Sequence, residues 1–280
     1  MISTVRVGDL SFDVRVGGPT GGRPVLLLHG FPQHGGMWDA VSERLHGAGL
    51  RTYAPDQRGY SPGASPDDPE AYRMSELVSD VLGLADALGL STVDLVGHDW
   101  GAAVAWQVAA RHPDRLRSLT AVGIGHPLAY RAALKSSLEQ QKRSAYLLLF
   151  RQKPGRPERV LLADGGRRLR AVFAGSGLDE AGIARYADPL VTQPERLTTA
   201  LHWYRAMGRR DQEGLTAVTV PTTYVWGDED LAQGRKAAEQ TREHVTAPYR
   251  FIPLEGRSHW LPDEVPDIVA DAILERVRAS

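Results

Sequence analysis

The sequence of 280 residues contains no cysteine, which excludes disulfide bonds, thiol nucleophiles and cysteine-ligated metal sites. It also lacks a long apolar run, since no stretch approaches the ~20 residues that a membrane-spanning helix needs. The formal net charge is only −1, so electrostatics gives no reason to expect nucleic acid or a membrane as a partner. The nine histidines show no pair at metal-ligand spacing, and we therefore expect neither a metal nor another cofactor.

The first residues, MISTVRVGDLSF, lack the basic segment and apolar stretch of a secretion signal. The apolar content of 42% is typical of a globular protein that folds around a sizeable core. We therefore expect a cytoplasmic protein.

Strand-like and helix-like segments alternate along the first part of the chain. Continuous apolar residues at 25–28 predict a buried strand, and apolar residues at helical spacing predict a helix over 75–88. Further strands are predicted at 92–96, 222–226 and 249–252. Strands that alternate with helices indicate a mostly parallel sheet flanked by helices, an α/β fold.

One long segment departs from this alternation. Residues 127–215 have helical patterns, glycine and proline breaks, and no convincing strand. A last helix is predicted from Asp263 to Arg278. We predict a core formed by 1–126 and 216–280, with 127–215 as an α-helical cap over the sheet edge where such sheets bind ligands.

The most informative stretch is Gly97-His98-Asp99-Trp100-Gly101, between a predicted strand and a predicted helix. Small residues on both sides of a central side chain are typical of a nucleophile elbow, a strained turn that holds that side chain above a parallel sheet. Here the central residue is a carboxylate, which would attack carbon and form an ester. The pattern predicts covalent chemistry on an epoxide or an alkyl halide.

Two later loops supply candidate partners for Asp99. His259 follows the last predicted strand and could take a proton from water, because histidine titrates near neutral pH. The turn after Gly227 offers acids that could orient this imidazole. We choose Asp230, with Asp228 as the alternative, because the tight turn leaves the next residues to close the loop.

The loop His29-Gly30-Phe31 follows the buried strand at 25–28. The backbone N–H groups of Phe31 and Trp100 could form an oxyanion hole for hydrolysis of the ester. We expect His29 and His98 to have structural roles.

The chain resembles the α/β-hydrolase superfamily over essentially its whole length, and within it the soluble epoxide hydrolases. The resemblance lies in five motifs, which are HGFPQ (29–33), PDQRGYS (55–61), GHDWGA (97–102), WGDED (226–230) and SHW (258–260). It implies an α/β-hydrolase fold with a cap domain, no cofactor, and a small apolar epoxide and water as reactants.

The resemblance also implies two catalytic tyrosines in the cap. Tyr146 stands in a Tyr-x-x-x-Phe segment, and Tyr204 stands in a Trp-Tyr-Arg motif preceded by His202. Opening an epoxide generates an alkoxide, and a tyrosine with a pKa near ~10 can donate a proton to it. The expected reaction converts an epoxide to a vicinal diol through an Asp99 ester, which water activated by His259 hydrolyses.

Two alternatives stay open at this point. A haloalkane or haloacid dehalogenase would share Asp99, Asp230 and His259 and could use Trp100 as a halide donor. A ligand-binding protein could also use the same fold and a lidded pocket without turnover. Against the second alternative, a binding protein does not need an intact nucleophile and base.

Overall fold

The computed structural model describes residues 1–280, leaving aside the side chain of Arg209. Within this description one sheet is formed by eight strands, β1 (Ile2–Val7), β2 (Leu10–Gly17), β3 (Arg23–Leu28), β4 (Leu50–Pro55), β5 (Val93–His98), β6 (Leu116–Val122), β7 (Thr222–Gly227) and β8 (Tyr249–Leu254). Their spatial order is β1-β2-β4-β3-β5-β6-β7-β8. The β1–β2 and β2–β4 pairs are antiparallel and the other pairs are parallel, which confirms the predicted α/β fold.

The helices are α1 (Asp39–Gly47), α2 (Met74–Ala87), α3 (Trp100–Arg111), α4 (Pro127–Ser136), α5 (Leu138–Arg143), α6 (Leu147–Phe150), α7 (Arg156–Ala171), α8 (Glu180–Thr192), α9 (Pro194–Ala206), α10 (Arg235–Gln240), α11 (Leu261–Glu264) and α12 (Pro266–Arg278). Helix α7 is interrupted by non-helical backbone around Gly165 and Gly166. The prediction of one continuous closing helix is wrong in one detail. The helix is interrupted at Val265, because Pro266 disfavours helical backbone at the residue before it.

Helices cover both faces of the sheet. In β3, Leu26 and Leu28 pack in the core beneath α2 and α3, whereas Val25 and Leu27 pack in the core beneath α1 and α12. All four side chains are fully buried. This two-sided burial explains why the strand appears in the sequence as a continuous apolar run and not as an alternating pattern.

Residues 127–215, here called the helical insertion, lie between β6 and β7. Their described part forms α4 to α9 and contains no strand, as the sequence pattern suggests, and their division from the core stays a prediction. Helix α9 is fixed to the loop after β4, because Trp203 Nε1 donates to the Arg58 carbonyl and Thr199 Oγ1 donates to the Gly59 carbonyl, each at 2.8 Å. The PDQRGYS segment thus holds one helix of the insertion against the sheet.

The strand order places a crevice at the centre of the sheet. From β3 the chain moves to β4 on one side, and β5 lies on the other side of β3. Loops that leave the carboxyl ends of β3 and β5 therefore diverge, and ligands of open α/β sheets bind at such a switch point. The loop that begins at His29 and the turn at Asp99 lie on the two sides of this crevice.

Candidate active site

Asp99 occupies a strained turn between β5 and α3, with φ 53° and ψ −120°, a conformation rare for a residue other than glycine. The turn depends on small neighbours. A Cβ on Gly97 would lie 2.3 Å from the Gly101 carbonyl oxygen, and one on Gly30 would lie 2.3 Å from Asp99 Cβ. The sharp turn predicted from the spacing of small residues is therefore present, and it projects the carboxylate into the crevice.

The carboxylate of Asp99 is held at both oxygens. The Phe31 backbone N–H donates to Oδ1 at 2.9 Å, and His259 Nε2 lies 3.4 Å from Oδ2. Burial alone would raise the pKa of Asp99, but the hydrogen bond and charge of His259 and the Trp100 N–H hold it below its ordinary value. Asp99 is therefore an anion at neutral pH.

His259 lies between two buried carboxylates. Its Nδ1 is 2.7 Å from Asp230 Oδ2, while Asp230 Oδ1 accepts the N–H groups of Ala232 and Gln233 at 2.7 and 2.8 Å. Burial would lower the pKa of His259, but Asp230 and Asp99 together raise it to about 10. The ring is therefore an imidazolium cation, protonated on both nitrogens, when both carboxylates are ionised.

Asp228, the alternative acid, has a different partner. Its Oδ1 accepts the Gly256 N–H at 2.7 Å and so closes the turn against the loop that carries His259. Of the two acids that the sequence left open, the structure brings Asp230 into contact with the imidazole.

His98 links the turn at Asp99 to the loop at His259. Its Nε2 lies 2.9 Å from the His259 carbonyl oxygen, so Nε2 carries the hydrogen of this bond. Burial and the neighbouring His259 lower the pKa of His98 to about 4, and the ring is neutral. The structural role expected for His98 is thus to donate a hydrogen bond to the backbone of the loop that carries His259. The sequence did not reveal this partner, since 161 positions separate the two residues.

His29 fixes the opposite wall of the crevice. Its Nε2 accepts the Gln57 backbone N–H at 2.9 Å, and the Gln57 side chain donates to the His29 carbonyl at 2.6 Å. Burial lowers the pKa of His29 to about 4. These bonds join the loops after β3 and β4 and support the backbone that carries Phe31.

Tyr146 and Tyr204 face each other across the crevice from two helical segments of the insertion. Their ring centroids are 6.1 Å apart, and Tyr204 packs edge-on against Phe31 and Trp100 at 5.4 and 5.1 Å. Burial raises the pKa of both tyrosines well above the ordinary value, and other nearby groups that include Asp99 act in the same direction. Both hydroxyls therefore keep their protons over the physiological range.

Arg205, in the Trp-Tyr-Arg motif, stabilises the insertion from within. Its guanidinium donates to Glu158 Oε1 at 2.6 Å, and Glu158 Oε2 accepts the Gly155 N–H at 2.8 Å. The His202 ring lies beside the same guanidinium, with Nδ1 at 3.1 Å. Helix α9, which carries Tyr204, is thereby fixed to the start of α7.

A cavity of about 610 Å³ lies between the turn at Asp99 and the helical insertion, within the ~300–1,000 Å³ range of small-molecule sites. Asp99, Trp100, Tyr146 and Tyr204 all line it. It also contains residues that the sequence did not single out, namely Gln107, Tyr130, Arg131, Lys135 and Arg151. No pattern in the sequence marks them, because they come from α3, α4 and the end of α6.

No cluster of three potential metal-ligating side chains occurs among the residues that the structure describes. Across the same residues, none of the helices combines the length and the apolar character needed to cross a membrane.

Known proteins resemble this chain over almost its full length. A family model for the alpha/beta hydrolase fold matches residues 23–264. The AB hydrolase superfamily protein YfhM of Bacillus subtilis is 33% identical over 279 residues, which cover 98% of this chain and 96% of that protein. Epoxide hydrolase A of Mycobacterium tuberculosis is 30% identical over 296 residues, which cover 92% of this chain and 91% of that protein.

A solved structure agrees with these sequence matches. The crystal structure of Epoxide Hydrolase A from Mycobacterium thermoresistibile has a TM-score of 0.88 and 27% identity, over 99% of this chain and 98% of that chain. These findings confirm the family predicted from the motifs, and the chain belongs to the α/β-hydrolase fold family and, within it, to the epoxide hydrolases.

Proposed function

We propose that this protein converts an epoxide to a vicinal diol through a covalent ester on Asp99. The observation that carries the proposal is the identity of the side chain at the turn. A carboxylate stands there, 3.4 Å from a histidine and in one cavity with Tyr146 and Tyr204. The names of the relatives, several of which are called epoxide hydrolases, support the same substrate class.

In the first step Asp99 Oδ2 attacks one oxirane carbon, and the bond from that carbon to the epoxide oxygen breaks. Oδ1, which accepts the Phe31 N–H, becomes the carbonyl oxygen of the ester. Tyr146 and Tyr204 hydrogen-bond the epoxide oxygen, and one of them transfers its proton to the alkoxide. Both tyrosines keep their protons at neutral pH, and one can give up its proton because the alkoxide that forms is the stronger base.

In the second step His259 takes a proton from water, and the water oxygen attacks the ester carbonyl. The N–H groups of Phe31 and Trp100 stabilise the oxyanion, and Asp230 stabilises the imidazolium. The imidazolium then protonates the leaving alkoxide, which completes the diol. The second proton of the water returns to the tyrosinate, so the sum is one epoxide plus one water.

An isotope experiment tests the covalent step. In a single turnover with excess enzyme in H₂¹⁸O, we expect the diol to contain only ¹⁶O, because its new oxygen comes from Asp99. After many turnovers, ¹⁸O should be found in the Asp99 carboxylate. Appearance of ¹⁸O in the diol during the first turnover would instead mean direct attack by water and would overturn the proposal. Asp99→Ala should give no diol.

The role of the tyrosines is tested by removing both hydroxyls. The variant Tyr146→Phe/Tyr204→Phe should hydrolyse epoxides about 10²–10⁴-fold more slowly, the usual contribution of a general acid. Tyr186→Phe is the matched control, because this buried tyrosine of the insertion hydrogen-bonds Asp263 at 2.8 Å. Halide release from chloroalkanes without any diol formation would favour the dehalogenase reading.

A further inference from the structure

Two cations on α4 line the cavity that contains Asp99. Arg131 and Lys135 both contribute to its wall and stand four positions apart, so they share one face of the helix. Arg131 is half-buried and Lys135 is exposed. The face of α4 that borders the cavity therefore carries two like charges at the distance of one helical turn.

Neither cation has a carboxylate partner among the residues that the structure describes. Arg131 Nη1 makes only a long contact, 3.4 Å, to the amide oxygen of Gln212, and no ion pair is found there for Lys135. Like charges at i,i+4 spacing destabilise a helix. An anion bound between them would remove this local repulsion.

The third cation that lines the cavity, Arg151, is already engaged. Arg151 donates to the Met207 carbonyl at 3.0 Å. In the adjoining cleft, Arg205 pairs with Glu158 at 2.6 Å, and Arg111 donates to backbone carbonyls. Within the described lining of the cavity, Arg131 and Lys135 are thus the cations without a carboxylate or backbone carbonyl partner.

We propose that the substrate is an epoxide with a carboxylate at the end remote from the oxirane ring, and that Arg131 and Lys135 bind this carboxylate. The inference rests on the proposed function for the reacting end of the molecule. The planar Arg131 guanidinium matches a carboxylate with two parallel hydrogen bonds, and Lys135 adds a point charge. Between the two ends, the aromatic walls of the cavity suit an apolar linker.

The test uses unreactive ligands that differ only in charge. 4-Ethylbenzoate and 4-ethylbenzamide have similar shape, and calorimetry gives the Kd of each. We expect the carboxylate to bind about five- to tenfold more tightly, the ratio that one or two partly screened ion pairs produce. In the variant Arg131→Gln/Lys135→Gln this ratio should fall to about one. Lys142→Gln removes an exposed cation of α5 outside the cavity lining and should keep the ratio.

The same comparison is then made with reacting compounds. Styrene oxides that carry a para-carboxylate or a para-carboxamide should show the same ratio in kcat/KM. Equal binding of the two ethyl compounds to the unaltered protein overturns the inference, as does a preference that survives in the double variant. If the binding preference is present and neither styrene oxide yields diol, the anion site stands and the proposed function fails.

Discussion

Replacing Asp230 by asparagine isolates the step proposed for His259. Asp230 Oδ1 accepts two backbone N–H groups, from Ala232 and Gln233, so the amide oxygen of an asparagine has to stay at that position. Its NH₂ group then faces His259 Nδ1. Because an NH₂ group can only donate, Nδ1 must lose its hydrogen and Nε2 must carry one. The histidine would then be the wrong tautomer to accept a proton from water.

The size of the effect follows from the contact distance. Two unit charges 2.7 Å apart attract by about 6 kcal/mol at an effective dielectric constant near 20. This energy stabilises the imidazolium that forms during ester hydrolysis, and each ~1.4 kcal/mol is a tenfold change in rate. We therefore expect hydrolysis of the ester to slow by about 10⁴, the same order that the aspartate-to-asparagine change causes in a serine protease triad.

The assay follows both half-reactions. Asp230→Asn should still form the ester, so intact-mass measurement after rapid mixing with epoxide should show the protein plus one substrate mass. Asp228→Asn is the matched control, because this acid bonds the Gly256 N–H and should change turnover by only about twofold. A steady-state rate of Asp230→Asn above about one tenth of the parent rate, or equal losses in the two variants, would refute the assignment.

Three further predictions concern stability. His98→Leu leaves the His259 carbonyl without its buried donor and should lower the free energy of unfolding by about 1–3 kcal/mol. His98→Gln retains an N–H donor and should lose less stability. Equal losses in the two variants, measured by urea titration, would contradict this explanation. Asp80→Asn removes the carboxylate that Arg58 contacts at 2.6 Å in a buried pair and should cost about 3–5 kcal/mol; a loss below about 1 kcal/mol would show that the pair is effectively solvated. Because the pKa of His259 is raised from 6.5 to about 10, its ionisation stabilises the fold fully below pH 6.5, and this contribution is lost as the pH rises through about 10. The difference in unfolding free energy between the parent and His259→Gln should shift against the parent over this range, and a constant difference would disprove the linkage.

The turn at Asp99 could be predicted from sequence because its constraints are local. Gly97 and Gly101 are required by contacts of a few ångströms with the backbone that they flank, and such contacts leave a short motif in the chain. The choice of Asp230 over Asp228 also rested on a local argument, the tightness of the turn at Gly227. In the structure Asp230 contacts the His259 imidazole and Asp228 accepts the Gly256 N–H, while the catalytic role of Asp230 stays a prediction.

Other features depend on contacts between distant segments, and a single sequence does not contain them. Nothing in the sequence links His98 to the carbonyl of His259, because the bond depends on how two loops meet above the sheet. Arg131 and Lys135 look like ordinary surface cations of a helix until the cavity shows which face they share. In both cases the missing information is the packing of one element against another.

The charges around His259 explain why ester formation comes before water activation in the proposed reaction. In the free protein, ionised Asp99 and Asp230 hold the pKa of His259 at about 10, so the imidazole is protonated and cannot act as a base. Formation of the ester neutralises Asp99 and removes one of the two charges that raise this pKa. The pKa of His259 then falls, and the imidazolium releases one proton to solvent, so the base becomes available only when there is an ester to hydrolyse. When hydrolysis restores the Asp99 carboxylate, His259 takes up a proton from solvent again. Burial keeps the neighbouring His98 neutral. A positive charge on His98 would lower the pKa of His259 even before Asp99 has reacted, and the neutral ring avoids this.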